Sequence, residues 1–190
     1  MNKFIICGVG GQGIKTCSKI LLRTALNKGY NVVGSIEVGM AQRGGSVVSH
    51  IKIGGDTCSP HVIKGDADEV ISLSYKEAVR NQIYLKYNGL MSIGEIFEED
   101  KTNEKNFFRK DINFKTYNLP EICKDISPIY YNLVMLGIAF SESNYIISDM
   151  DIKRTIISEY KKDHLKENIR ALEMGIEIKK NYGGISFEKV

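Results

Sequence analysis

Apolar positions along this chain change period several times, and each change marks an element. Phe4-Ile5-Ile6 is a short apolar run that enters a glycine turn, the pattern of a buried strand. Beyond the turn, Ile14, Leu21, Leu22 and Ala25 fall near one helical face, and Gly29 closes that helix. A second strand is predicted over about Asn31 to Ser35. From Ser46 to Ile53, Val47, Ser49, Ile51 and Ile53 alternate with Val48, His50 and Lys52, which predicts a half-buried strand closed by Gly54-Gly55. Glu69 to Leu73 reads as a core strand, Tyr75 to Gln82 as a short helix, Gly89 to Ile93 as a strand and Ile112 to Tyr117 as an edge strand. The polar interval from Glu95 to Asp111 carries the weakest pattern.

The last third is helical by spacing. Ser127-Pro128 predicts a helix start with a hydroxyl cap and proline at the first position, running to about Phe140 and burying Ile129, Leu133, Leu136 and Phe140. Gly137 would permit close approach to a neighbour. Ser148-Asp149-Met150-Asp151 predicts a capped helix carrying Ile152, Ile156, Ile157 and Tyr160. A third helix, from about Lys162 to Asn181, places Leu165, Ile169, Leu172 and Ile176 on one face. The sum is an α/β protein: a single Rossmann-like domain over residues 1–190, with a mainly parallel sheet and a helical C-terminal third.

Two glycine motifs carry the candidate chemistry. In the first, Gly8-Val9-Gly10-Gly11-Gln12-Gly13, the spacing Gly8-x-Gly10-x-x-Gly13 predicts a tight turn, a backbone able to approach a ligand, and a helix packed closely on its strand. The unpaired N–H groups at that helix start would favour a phosphate or carboxylate. This is not a P-loop, because Ile14 separates Gly13 from Lys15-Thr16. A dinucleotide site wants an acid at the end of the second strand; Glu37 stands there, readable equally as a ribose ligand or as a solvated carboxylate. In the second motif, Met40, Gln42, Arg43, Gly44, Gly45 and Ser46 form a turn of flexible backbone and side-chain donors, suited to contact with another surface.

Composition narrows the classes. At 190 residues, 43% hydrophobic and 26% charged, the chain is an ordinary globular protein, and a net charge of +3 is too small to imply nucleic acid. No apolar stretch approaches the ~20 residues of a membrane span, and Met1-Asn2-Lys3 leads into a strand with no signal-peptide pattern, so a cytoplasmic protein is expected. Cys7, Cys17, Cys58 and Cys123 lack the spacing of a zinc or iron-sulfur site, and reduced thiols without a metal are expected. His50, His61 and His164 form no catalytic set by spacing.

The two glycine motifs, with Ser59-Pro60, Gly65-x-Ala67-Asp68, Asn132-x-x-x-Leu136-Gly137 and Asn168-x-x-Ala171-x-x-x-Gly175, resemble the gamma-type domain of 2-oxoacid:ferredoxin oxidoreductases. Within that family the likeness is to the small (beta) subunit of the indolepyruvate enzymes, over roughly residues 2–180. One departure stands out: where that subunit reads Ser-Glu-Val-His-Gly-Met, this chain reads Ser35-Ile36-Glu37-Val38-Gly39-Met40, without the histidine. The resemblance implies a subunit of a heteromeric enzyme that decarboxylates a 2-oxoacid, an indolepyruvate or other aryl pyruvate among the candidates, to an acyl-coenzyme A, with electrons passing to ferredoxin. It places thiamine diphosphate and the iron-sulfur clusters mainly in a large partner subunit, with coenzyme A serving the assembled enzyme. Under that reading Gly8, Gly10, Gly11, Gln12 and Gly13 face cofactor or substrate, and the second motif faces the partner. No catalytic residue is assigned to this chain. A homodimer of the isolated chain is a further expectation. Two other readings stay open: a stand-alone dinucleotide-dependent dehydrogenase, and a non-enzymatic assembly module.

Overall fold

The alternating apolar residues of the first strand point to two different cores, and that division organises the molecule. The computed structural model describes residues 1–39, 44–55, 58–96, 107–160 and 162–182. In β1 (Asn2–Val9), Phe4 and Ile6 face one hydrophobic cluster while Ile5 and Cys7 face another. The strand is therefore central, and it reads as a continuous apolar run because helices cover both of its faces.

After β1 come α1 (Ile14–Asn27), β2 (Val32–Val38), β3 (Ser46–Ile53), β4 (Ala67–Ser72), α2 (Tyr75–Asn81), β5 (Leu85–Glu95) and β6 (Asn113–Asn118). Four helices follow: α3 (Leu119–Ile122), α4 (Tyr131–Phe140), α5 (Asp149–Glu159) and α6 (Lys162–Tyr182). The six strands form one sheet in the order β2-β3-β1-β4-β5-β6. The pairs β1–β4, β4–β5 and β5–β6 are parallel, whereas β3 runs antiparallel to both β1 and β2. This is the mainly parallel α/β sheet expected, with β6 at one edge. Among the described residues no helix is long and apolar enough to cross a membrane.

Several local expectations needed correction. β3 was expected to be half-buried, but its second face is covered too: His61 and Tyr84 pack on the His50 ring, and His50 and Lys52 are buried as well as Ile51 and Ile53. Ser127 makes no side-chain cap. A 3-10 turn over Pro128–Tyr130 precedes α4, and Ile129 points outward at 73% exposure rather than into the core. All ten residues of α4 are buried, not one stripe of them, because this helix is enclosed by the sheet, α1, α5 and α6. The capped start of α5 agrees with expectation: Ser148 Oγ accepts from Asp151 N–H, and the Asp151 carboxylate accepts from Ser148 N–H. Its Ile157, however, is half exposed. Most of the weakly patterned interval, residues 97–106, lies outside the described residues.

Helix placement sets the position of a site. α1, which leaves β1, packs with α4 and α5 on one face; α2, which leaves β4, packs against β1, β4 and β5 on the other. Adjacent parallel strands whose connections depart to opposite faces leave a crevice beyond their C-terminal ends.

Candidate functional site

The crevice lies where that rule puts it. Val9 and Gln12 from the β1–α1 loop face Leu73, Ser74 and Tyr75 from the β4–α2 connection, and Glu95 closes the end of β5. The cavity is small, about 90 Å³. Pockets for whole small-molecule ligands run to about 300–1,000 Å³, so this one has room for one end group of a larger molecule.

Internal hydrogen bonds hold the glycine loop. Val9 N–H donates to Gln12 Oε1 at 2.6 Å, and Gln12 N–H donates to Val9 O at 3.1 Å. Gln12 thus spends its carbonyl end on the loop, and its amide end is the part able to serve a ligand. Gly13 sits at φ +77° and starts α1 with no side-chain cap, leaving the first-turn N–H groups directed to the loop side. A Cβ on Gly13 would stand 2.3 Å from Asn132 Nδ2, and that nitrogen donates to Gly13 O at 3.3 Å. The third glycine was expected to let its helix approach the strand; here it admits Asn132 of α4 instead.

Gly10 was expected to open its backbone to a ligand. Its N–H donates to Gly45 O at 2.9 Å, so the two glycine motifs are joined to each other. Gly11 is exposed, with nothing near where a Cβ would lie. Ser46 opposes Val9 across the β1–β3 pair and donates its hydroxyl to Glu77 Oε2 at 2.6 Å. Glu77 is 3% exposed, and its Oε1 is held by Arg80 at 2.5 Å. Gly44, Gly45 and Ser46 therefore form one wall with the first motif, braced by α2. Met40, Gln42 and Arg43 lie outside the described residues.

Glu37 does not reach the glycine loop. β3 separates β2 from β1, which puts two strand spacings, about 10 Å, between their lines. Its Oε1 lies instead 3.2 Å from His61 Nδ1 and 3.5 Å from His50 Nε2. His50 is 1% exposed; burial lowers its pKa, a tendency Glu37 opposes and His61 and Lys52 reinforce. Sequence spacing assigned these histidines to no shared site, because strand pairing and a loop bring them together.

The thiols offer no ready cluster site. Cys7 and Cys17 are buried in different cores, and burial raises Cys7 to about 12 and Cys17 still higher. Cys123 is buried and raised to about 11, while Cys58 is exposed. Ser74, Tyr75 and Glu95 are cleft residues that motif reading missed. Their signal was positional: each sits at or just beyond the C-terminal end of a parallel strand.

The fold and crevice define a doubly wound α/β domain with a small opening at its switch point. The family model for pyruvate ferredoxin/flavodoxin oxidoreductase matches residues 3–178, and the chain belongs to that family. It is 32% identical over 199 residues to an indolepyruvate oxidoreductase subunit IorB of Thermococcus kodakarensis, covering 95% of this chain and 97% of the relative. Its fold matches the gamma subunit of a keto/oxoacid ferredoxin oxidoreductase from Geobacter sulfurreducens with a TM-score of 0.72 at 21% identity, covering 93% of this chain and 97% of that one. A 2-oxoglutarate:ferredoxin oxidoreductase of Magnetococcus marinus, solved with 2-oxoglutarate, coenzyme A and succinyl-coenzyme A, matches all of this chain at 17% identity and a TM-score of 0.75. There the match spans 32% of the larger chain.

Proposed function

We propose that this chain is the small subunit of a heteromeric 2-oxoacid:ferredoxin oxidoreductase that acts on an aryl pyruvate of the indolepyruvate type. Electrons pass to ferredoxin and the acyl group to coenzyme A. The observation that carries the reading is the Gly10–Gly45 hydrogen bond. It joins the loop read as facing cofactor or substrate and the turn read as facing the partner into one continuous surface. A subunit that walls a partner's active site needs such a surface.

The donor set divides the labour. Three buried, protonated thiols on separate elements do not suit an iron-sulfur cluster. The 90 Å³ crevice does not suit a complete thiamine diphosphate or dinucleotide. Those groups fit the large partner subunit, where thiamine diphosphate supplies the decarboxylation chemistry. This chain contributes shape and polarity: Gln12, Ser74, Tyr75 and Glu95 line the crevice beside the apolar Val9 and Leu73. The crevice accepts an end group of coenzyme A or of the oxoacid. The partner contact read from the sequence for Met40, Gln42 and Arg43 is part of this proposal.

Anaerobic affinity purification of this chain from its native cells, with mass spectrometry and a visible spectrum of the complex, tests the reading. A large thiamine-dependent subunit, iron-sulfur absorption and aryl-pyruvate-dependent ferredoxin reduction are expected. A colourless chain recovered alone would overturn it, as would a complex without 2-oxoacid turnover, the outcome a pure assembly module would give.

A further inference from the structure

Away from the crevice, at the end of β2, two histidines and a carboxylate converge without any motif to announce them. His50 comes from the interior of β3, Glu37 from the paired strand β2, and His61 from the β3–β4 connection. One ligand atom from each lies within 4.8 Å of the others. Glu37 Oε1 is 3.2 Å from His61 Nδ1 and 3.5 Å from His50 Nε2. A tetrahedral zinc ion with bonds of about 2.0–2.1 Å separates its ligand atoms by roughly 3.3 Å, so two of the three edges are already at ligand spacing. Closing the third needs only movement of His61, whose side chain is 57% exposed.

A second observation points the same way. His50 Nε2 is fully buried and has no hydrogen-bond partner, although it is aimed at the cluster. An orphaned buried nitrogen is costly. A cation between it, Glu37 and His61 would satisfy it once the ring proton has left Nε2 for Nδ1. Tyr84 packs edge-on against the His50 ring with centroids 5.0 Å apart and helps fix its plane.

We propose that Glu37, His50 and His61 bind one late first-row divalent cation, zinc being the best match to two imidazoles and one carboxylate with an open position for water. The ion clips the β3–β4 connection onto β2, two residues before Gly39 and the second glycine turn. Binding has a structural consequence. His50 Nδ1 accepts a hydrogen bond from Val62 N–H at 3.2 Å, so the neutral ring carries its proton on Nε2. Ligation through Nε2 moves that proton to Nδ1, where it faces the Val62 N–H and displaces it. Metal binding is therefore coupled to release of the Val62 amide, with no net proton change at His50.

The test titrates the metal-stripped full chain with Zn²⁺ alone by calorimetry and repeats it with Co²⁺ as a spectroscopic probe. One equivalent per chain is expected, with a tetrahedral Co²⁺ visible spectrum and faster amide exchange at Val62. His61→Ala and Glu37→Gln alter exposed side chains, so they leave folding intact. Each should weaken Zn²⁺ binding about tenfold or more and abolish the Co²⁺ spectrum. No binding by the unaltered chain, or binding unchanged in both variants, would overturn the site. Zn²⁺ binding with Val62 exchange unchanged would overturn the coupling.

Discussion

Glu69 shows how one buried group can shape stability. It is fully buried in β4, with Oε1 accepting from Ser92 Oγ at 2.7 Å and Oε2 from the Tyr145 hydroxyl at 2.8 Å. Burial outweighs these bonds and raises its pKa from 4.5 to about 7. The folded state thus holds the proton more tightly than the unfolded chain. Its contribution to stability is full below about pH 4.5 and is lost as pH rises through 7, a change of roughly 3 kcal/mol for this shift. Urea unfolding of the native chain and of Glu69→Gln at pH 5 and pH 8 should show a clearly smaller loss in the variant; equal losses would remove Glu69 as the cause. Gly13 sets a different kind of constraint. Alanine there would meet Asn132 Nδ2 at 2.3 Å in a left-handed backbone, so Gly13→Ala should cost about 1–3 kcal/mol, read from the urea midpoint. The sequence showed that a glycine was needed at this position. It did not show that the obstructing residue lay 119 positions away on α4.

At the scale of elements, α4 and α6 cross almost backbone to backbone. A Cβ on Gly137 would stand 2.2 Å from Leu172 O, and one on Gly175 would stand 2.0 Å from Val134 O. Gly175→Ala must push the helices apart, and a cost of about 3 kcal/mol or more is expected. For a chain of this length that lowers the melting temperature by on the order of 10 °C, and a melt within 2 °C of the native protein would contradict the packing argument. Gly137 was legible as a close-approach residue from its place in an apolar helix. The total burial of α4 was not, because Leu133, Leu136 and Phe140 alone satisfy a one-sided pattern, and only the layers on its other sides recruit Val134, Met135 and Ile138. β3 gave a similar lesson. Its alternation suggested one wet face, yet His61 and Tyr84 pack over His50 on that face, and His50 and Lys52 are buried too.

For the whole molecule, the decisive feature is that the glycine loop beside the crevice is bonded to the second glycine motif through Gly10 and Gly45. Gly10 is exposed, and a Cβ there would lie 3.7 Å from Gly45 O, so the backbone accommodates a side chain. Gly10→Arg should leave the melting temperature of the isolated chain within about 2 °C, yet reduce 2-oxoacid turnover of the assembled enzyme at least tenfold by crowding the mouth of the crevice. Turnover at the native rate in a correctly assembled complex would separate the glycine loop from the active site. The same geometry removes the main support for a dinucleotide site, since β3 holds Glu37 away from the loop and turns it toward two histidines.

The sequence by itself determined most of the elements, their α/β order, the two glycine turns and the likeness to the oxidoreductase family. These depend on periodicity and on residue types that few backbone conformations accept, so they are written locally. Tertiary structure decided what the local pattern could not contain: the reversed strand between β1 and β2, the contact of Gly10 with Gly45, the contribution of Ser74, Tyr75 and Glu95 to the crevice, and the meeting of Glu37, His50 and His61. Each joins residues from different elements. Their separation in space is set by strand order and helix side, which chain spacing does not encode.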